Sequence, residues 1–520
     1  MTNGTGNDPI PPFVIKATIA ASLGGILFGY DMGVTATALP QLTNVFNLSE
    51  GQQEMLVSFL YIGCTIGATV GGYLCDRHGR KKTILLTDCV FILGAYVLYS
   101  APTFVVVLCG RIIIGFAVAV SAIADVAYLH EISPKQYRGA IVSCNEACIS
   151  LGFMLSYLTG YGISVHAGDN GWRYMFGLGA IIGVLQFVGM LFMPESPVWL
   201  RSKGELEASE RVVLQIGFSI SEDTHEHDSH GYNAGGSKKH LFGENGNETS
   251  EDDSDSPNYS SFNIEQPVSM ENVPEPEGLT METMRKYFRQ IIIALFLSVM
   301  QNFCGHPNLL NFAPEIFAQI GFDSEEGRLI STTFLGVVKF ITVCYTIKRV
   351  EVYGRRYLLL VGMSIIAVSL FVLSLAYLVN GGGEMSVLGK VFATLSVFGV
   401  AGGYSLSFGP LVWLIVSELF PSTIRGRALG GSTICGYAAA SLVSYTFLTG
   451  QDVGLFVPFA IYCFLTLLSI GFTYIYIPDT AGKSPDEIHQ ELISGWGSER
   501  LHHRPILVNV VQAESDREIV

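Results

Sequence analysis

The sequence predicts an all-α membrane protein whose twelve transmembrane helices form two parallel six-helix halves. Three observations carry this. The 520 residues are 49% hydrophobic and only 14% charged, well below the roughly 25% charge of an ordinary soluble domain. The apolar residues are gathered into runs long enough to cross a bilayer, which takes about 20 residues as helix. Finally, three motifs recur in the same order in the two parts of the chain.

In chain order, the first six runs are 13–38, 54–75, 83–100, 104–129, 140–162 and 173–193. The first has almost no positive charge before it and is too long for the apolar core of a signal peptide, so it is expected to remain as a span. A polar stretch follows. The last six runs are 288–314, 329–347, 357–379, 388–416, 428–449 and 454–477. The domain plan is an N-terminal tail (1–12), a first half (13–200), a linker (201–287), a second half (288–477) and a C-terminal tail (478–520).

The net charge of −15 comes mostly from the linker. Residues 217–284 hold 15 Asp and Glu against 2 Lys and no Arg, a composition that cannot bury enough apolar surface to fold. Its His225, His227 and His230 read as part of a polar linker rather than a metal site. The ten cysteines lie in or beside the apolar runs, which argues against a disulfide framework. Short loops on one side carry Arg77, Arg80, Lys81, Lys82, Lys135, Arg138, Arg349, Arg355, Arg356, Arg425 and Arg427; the other side has Arg173 and Arg328. Positive loops stay in the cytoplasm, so both termini and the linker are expected there, and the sequon at Asn47 outside.

The repeats are explicit. E-x-x-P-x-x-x-R-G occurs at Glu131 to Gly139 and again at Glu418 to Gly426. "GGYLCDRHGRKK" after the second run matches "KRVEVYGRRYLL" after the eighth, and "PESPVWL" after the sixth matches "PDTAGKS" after the twelfth. The offset of roughly 280 residues points to two parallel halves, the plan of major facilitator transporters, whose substrate site lies between the halves. The motifs set acidic and basic groups at helix ends, where pairs between helices hold one conformation and release in another. The expected gating residues are Asp76, Arg77, Arg80, Glu131, Arg138 and Glu195, and then Glu351, Arg355, Arg356, Glu418 and Arg425. As single copies these residues would serve equally well as topology signals and helix caps; their duplication favours gating.

The chain resembles the sugar porter family of the major facilitator superfamily. The resemblance rests on "GGILFGYDMG", "DRHGRKK", "GRIIIG", "YLHEISPKQYRGA", "GWRYMFG", "PESPVWL", "ELFPSTIRGRA" and "PDTAGKS", and covers nearly the whole chain outside the linker and tails. "NEACISLG", "GHPNLLNF" and "GVVKF" look most like class III facilitative sugar transporters. This likeness implies sugar contacts at Glu146, where the family has Gln, at Gln301 and Asn302, at Asn308 beside Pro307, at Lys339, where the family has Asn, at Trp413, and at Tyr437 after Gly436. The span-seven signature associated with glucose preference is absent, since Ser298-Val299-Met300 stands there. The residue types suit the task without the family. Amides donate and accept as sugar hydroxyls do, and aromatic faces stack on sugar rings.

Charges inside apolar runs cost about 2.5–3.5 kcal/mol at the bilayer centre and read as functional. Those singled out are Asp31, Arg111, Asp125, Glu146 and Lys339. Asp31 is nine residues before Pro40 and Arg111 seven past Phe104, so both lie roughly 10–13 Å from the same face at about 1.5 Å per residue, and a pair is expected. The resemblance implies that this pair couples sugar to protons; a permanent pair that fixes helix register is the alternative. Asp125 and Glu146 share a depth near the opposite face and would repel if they met. Lys339 and Glu146, from opposite halves, are expected to pair; attraction of an anionic sugar by Lys339 is the alternative.

The expected function is transport of a monosaccharide, a hexose such as glucose foremost, by alternating access, as uniport or proton symport. A sugar sensor signalling through the linker and a polyol (myo-inositol) proton symporter are the alternatives. No nucleophile–base set, phosphate loop or metal-ligand cluster stands in the membrane core, so no enzyme, cofactor or metal is expected. The expected partners are a small-molecule sugar, protons and the lipid bilayer, without nucleic acid. The expected location is the plasma membrane.

Overall fold

A computed structural model describes residues 11–133, 138–216, 281–380, 385–480, 483 and 485–494, and within them every regular element is a helix. The first half comprises α1 (Pro12–Phe46), α2 (Glu50–His78), α3 (Arg80–Ser100), α4 (Phe104–Ile132), α5 (Arg138–Ala167) and α6 (Gly171–Leu191). Three short helices follow: α7 (Pro197–Ser202), α8 (Leu206–Ile216) and α9 (Met281–Lys286). The second half begins with one span broken into α10 (Phe288–Phe303), α11 (His306–Asn311) and α12 (Ala313–Ile320). It continues with α13 (Glu325–Tyr353), α14 (Arg355–Asn380), α15 (Val387–Leu406) and α16 (Phe408–Leu419). The bundle is completed by α17 (Ser422–Tyr445), α18 (Phe447–Val453) and α19 (Val457–Tyr476), and α20 (Pro485–Ser494) lies beyond it.

Among the described residues, eleven helical spans are long and apolar enough to cross a membrane. The expected 428–449 span is also helical, as α17 and α18, but "GRALGGSTICGYAAAS" dilutes its hydropathy with small and hydroxyl side chains. Large apolar residues such as Ile66, Val105, Ile181, Phe371 and Phe464 face outward. That is stable only where lipid replaces water, and in lipid a helix satisfies its own backbone polar groups.

The internal repeat is visible in the packing. In the first half α1 packs on α5, and α3 on α4 and α6; in the second, α10 packs on α17, and α14 on α15 and α19. The halves meet where α2 lies on α17 and α5 on α13, two contacts that the repeat maps onto each other. The α1–α5 contact is close. A Cβ on Gly29 would stand 1.8 Å from the Ile149 carbonyl oxygen, and one on Gly152 2.3 Å from that of Ile26.

The opening of the expected linker, 201–216, packs on the first half: Val212, Val213 and Ile216 of α8 are buried in one cluster with Val14, Ala17 and Trp199. The acidic run with His225, His227 and His230 lies outside the described residues. All ten cysteines are free.

Candidate functional site

Two structures in the bundle carry the sequence-predicted residues: a buried centre between the halves, and a collar at the arginine-rich end.

The centre forms around the break in the seventh span. Gly305 takes φ +78°, the left-handed region that glycine enters freely. Pro307 then sits in the first turn of α11, where its missing N–H costs nothing. Gln301 and Asn302 end α10 just before this break. Gln301 Nε2 donates to the Ser298 carbonyl at 3.3 Å, and Asn302 Nδ2 donates to Ser298 O and Gly436 O, both at 3.0 Å. Asn302 thereby ties α10 to α17 next to Tyr437. Asn308 is fully buried, and its Nδ2 donates to Val443 O and to the Tyr462 hydroxyl, each at 2.8 Å. Only its Oδ1 has no partner.

Glu146 reaches the second half from α5: its Oε1 would lie 3.5 Å from a Cβ on Gly409 of α16. Trp413 is one turn further on the same face of α16 and is half-buried. Lys339 of α13 is 2% exposed. The expected ion pair with Glu146 does not form. The two are within electrostatic reach, but the Lys339 ammonium stands 5.0 Å from the Phe153 ring centroid and 5.3 Å from that of Tyr404. Aromatic faces attract a desolvated cation and take the place of the carboxylate contact. Tyr437 has Tyr61, Cys64 and Glu146 as its ionisable neighbours.

Four residues of this centre carry no signal singled out in the sequence: His306, Tyr404, Asn311 and Tyr61. His306 stacks on Tyr404, rings 3.4 Å apart and 3° from parallel, with a buried Nε2 that has no partner. Asn311 Nδ2 donates across the halves to the Tyr61 hydroxyl at 3.2 Å. Asn311 follows Asn308 by three residues, a helical spacing that could have marked it.

The Asp31–Arg111 pair forms as their depths predict. Arg111 Nη1 lies 3.2 Å from Asp31 Oδ2 and 3.3 Å from Oδ1, with Arg111 0% and Asp31 2% exposed. Arg111 Nε donates to the Leu56 carbonyl at 3.4 Å, and the guanidinium stands 5.8 Å from the Phe176 ring centroid. Tyr61 is an electrostatic neighbour of both charges. The pair therefore adjoins the one tyrosine that Asn311 holds from the other half. Asp125 and Glu146, which would repel if they met, have different neighbours. Asp125 accepts from Ser121 and Gln186, and its acidic neighbour is Asp88.

At the arginine-rich end the two halves build the same collar twice. In the first, Arg80 Nη2 lies 2.8 Å from Glu131 Oε1, and the backbone N–H groups of Arg80 and Lys81 donate to Glu195 Oε1 at 2.8 and 2.9 Å. Ser196 donates to Glu131. In the second, Arg355 Nη2 lies 3.2 Å from Glu418 Oε1, Thr480 donates to Glu418 Oε2 at 2.5 Å, and Asp479 faces the start of α14. Glu195 accepts from the N-terminal N–H groups of α3, where the helix dipole favours it, and Asp479 faces the same end of α14. Gly79 and Gly354 precede those helices with φ +96° and +82° and leave room for the carboxylates.

Not every expected gating residue joins in. Asp76 is a looser partner of Arg80, at 3.5 Å. Arg77 turns to the Tyr73 hydroxyl and Arg356 to the Tyr474 carbonyl, each at 2.6 Å. Arg425 Nε donates to Phe420 O at 3.2 Å. Arg138 opens α5 and Glu351 lies near the end of α13, their side chains outside the described residues. The collar bonds described above each lie within one half. At the other end, bonds join the halves: Glu54 accepts from the Thr449 N–H at 2.9 Å and its hydroxyl at 2.8 Å, Ser441 donates to Ser58 O, and Tyr157 to Leu310 O.

Comparison with known proteins bears on this arrangement. The family described as sugar (and other) transporter matches residues 17–231 and 247–492. Facilitated glucose transporter member 12 of solute carrier family 2 from Homo sapiens is 28% identical over 564 residues, spanning 92% of this chain and 85% of that one. The galactose-proton symporter of Escherichia coli (strain K12) is 28% identical over 478 residues, spanning 91% of this chain and 93% of that one. Among solved structures, the proton:xylose symporter XylE of E. coli, bound to 6-bromo-6-deoxy-D-glucose, superposes with a TM-score of 0.70 at 25% identity, over 93% of this chain and 99% of that one.

Proposed function

We propose, from the premise that this chain belongs to the sugar transporter family of the major facilitator superfamily, that it moves a hexose across the plasma membrane by alternating access in symport with a proton. The observation that carries the coupling is the Asp31–Arg111 pair, a fully buried carboxylate and guanidinium on different helices.

Such a pair is costly to bury and costlier to break by removing one partner, but protonation of Asp31 removes one charge without removing a side chain. Arg111 is then held by the Leu56 carbonyl and the Phe176 face alone, and α1 is freed from α4. Movement of α1 is passed to α5 through the close contact at Gly29 and Gly152, and α5 bears Glu146. Tyr61 supplies the second route, from the pair to Asn311 and the broken seventh span.

In the centre, Gln301, Asn302, Glu146 and Lys339 would bind sugar hydroxyls, and Trp413 and Tyr437 would face the ring. The arginine-rich end is taken as cytoplasmic on the positive-inside rule. The Glu54–Thr449 contacts are then an outer closure and the two collars the inner gate. The names of the compared proteins, a glucose facilitator, a galactose-proton symporter and a proton:xylose symporter, support a monosaccharide as cargo.

The test is sugar-induced proton uptake in proteoliposomes across a panel of hexoses, pentoses and polyols. Alkalinisation of the medium on adding one of these sugars supports symport. Saturable sugar flux without proton movement leaves a uniporter, and no flux with any of them removes the transport reading.

A further inference from the structure

The first half buries a carboxylate that no donor reaches. Asp88, in the middle of α3, is 1% exposed, and neither of its oxygens has a hydrogen-bond partner. It lines a small cavity between α1, α3 and α4, with Gly24, Leu27 and Phe28 on one wall, Thr87 and Phe91 on its own helix, and Ala117, Val118 and Ser121 opposite. The cavity has no space for a water molecule. The two hydroxyls beside it have given their hydrogens elsewhere: Thr87 to the Thr83 and Ile84 carbonyls, Ser121 to Asp125 Oδ2 at 2.7 Å.

Asp125 is the acidic neighbour of Asp88 and lives in a different environment. Besides Ser121, Gln186 Nε2 of α6 donates to its Oδ1 at 3.2 Å. Gly24 makes the room, since a Cβ there would lie 2.0 Å from Asp125 Oδ2. One carboxyl thus accepts two hydrogen bonds and the other none.

Two neighbouring buried carboxylates, one of them lining a cavity too small for water, cannot both stay ionised, because their repulsion adds to the desolvation of each. Where the surroundings differ this much, the proton settles on the group without donors. We propose that Asp88 and Asp125 form a second proton-binding pair, in which Asp88 carries the proton and Asp125 remains the anion. Among the described residues, the other titratable group here is the Cys75 thiol of α2, which faces Asp125. The wall of α1 is apolar, and α6 presents the Gln186 amide.

Position gives the pair its meaning. Gly24 precedes Asp31 by seven residues on α1, about 10 Å along the helix, toward the arginine-rich end. Asp88 and Asp125 are therefore a station for a proton between Asp31 and that side of the membrane. The protonation of Asp88 itself does not rest on coupling at Asp31.

The test is infrared spectroscopy of the full chain in liposomes, titrated with pH and read in the protonated-carboxyl C=O region. The expected result is a band at neutral pH that is lost in Asp88→Asn, retained in Asp31→Asn and moved in frequency in Asp88→Glu. In Asp125→Asn the same band should titrate away at lower pH, because the neighbouring anion is gone. Sodium in place of choline should leave it unchanged. If Asp88→Asn does not fold, the Asp88→Glu and Asp125→Asn spectra decide. A wild-type band that neither Asp88 variant alters, a wild type without such a band at neutral pH, or a band that sodium removes would overturn the assignment, the last by making a metal cation the occupant.

Discussion

Arg111 meets Asp31 through a single nitrogen: Nη1 lies 3.2 and 3.3 Å from the two carboxylate oxygens, while Nη2 is buried without an acceptor. This is not the parallel two-nitrogen fork that makes arginine–carboxylate pairs strong. In the coupling proposed above, such a pair holds the helices in register and lets go when its charge is cancelled. Asp31→Asn, which mimics the protonated form, should abolish pH-driven uphill accumulation and leave sugar counterflow intact. Proteoliposome accumulation and counterflow measure the two separately, and equal loss of both would make the pair purely structural.

Gln301 uses one amide hydrogen on its own helix, and among the described residues its oxygen has no hydrogen-bond partner. Losing one hydrogen bond costs about 0.5–1.5 kcal/mol, so Gln301→Ala should raise the apparent KM roughly 2- to 10-fold. Uptake kinetics normalised to surface expression check this, and an unchanged KM would take Gln301 out of the site.

Glu146 and Lys339 face each other without touching, so their interaction should be measurable but modest. Glu146→Gln and Lys339→Gln should each lower kcat/KM, and the double variant should lose less than the sum of the two. A double-mutant cycle should return a coupling of at least about 0.5 kcal/mol, the usual threshold for non-additivity. Strict additivity would mean that each acts on the sugar alone.

The collars predict a contrast between neighbouring arginines. Arg80 joins Glu131 and lies beside the Glu195 cap, whereas Arg77 bonds only Tyr73 among the contacts described above. Arg80→Ala takes the arginine donor from part-buried Glu131 Oε1, while Ser196 still donates to Oε2, and should cost about 1–3 kcal/mol. Arg77→Ala should stay within about 0.5 kcal/mol. Thermal unfolding in detergent compares the two, and Arg355→Ala should behave as Arg80→Ala does.

The comparison of sequence with structure separates what periodicity carries from what packing decides. Spans, repeat and the depth of Asp31 against Arg111 follow from counting residues along helices, because a bilayer fixes where a helix begins and ends. The collar was legible because duplication marks it. Charge pairs Lys339 with Glu146, but its ammonium goes to the rings of Phe153, on the same helix as Glu146, and of Tyr404 on α15. His306 lay unseen inside a quoted motif because its partner, Tyr404, is nearly a hundred residues away. Asp88 stands within an apolar run, and its isolation from donors is a property of three packed helices and of no local pattern.

The two halves repeat each other in plan but not in stiffness. α1 runs unbroken over 35 residues and α4 over 29, whereas their counterparts are interrupted at Gly305 and at Ser407. An interrupted helix lacks part of its hydrogen-bond ladder at the break and opens there more readily than a continuous one. In the proposed transport cycle the first half would act as a lever and the second as a pair of jointed arms. The joints sit beside Gln301, Asn302 and Tyr404, so cargo would be gripped by local bending of one half while Asp31 and Arg111 ride on continuous helices in the other.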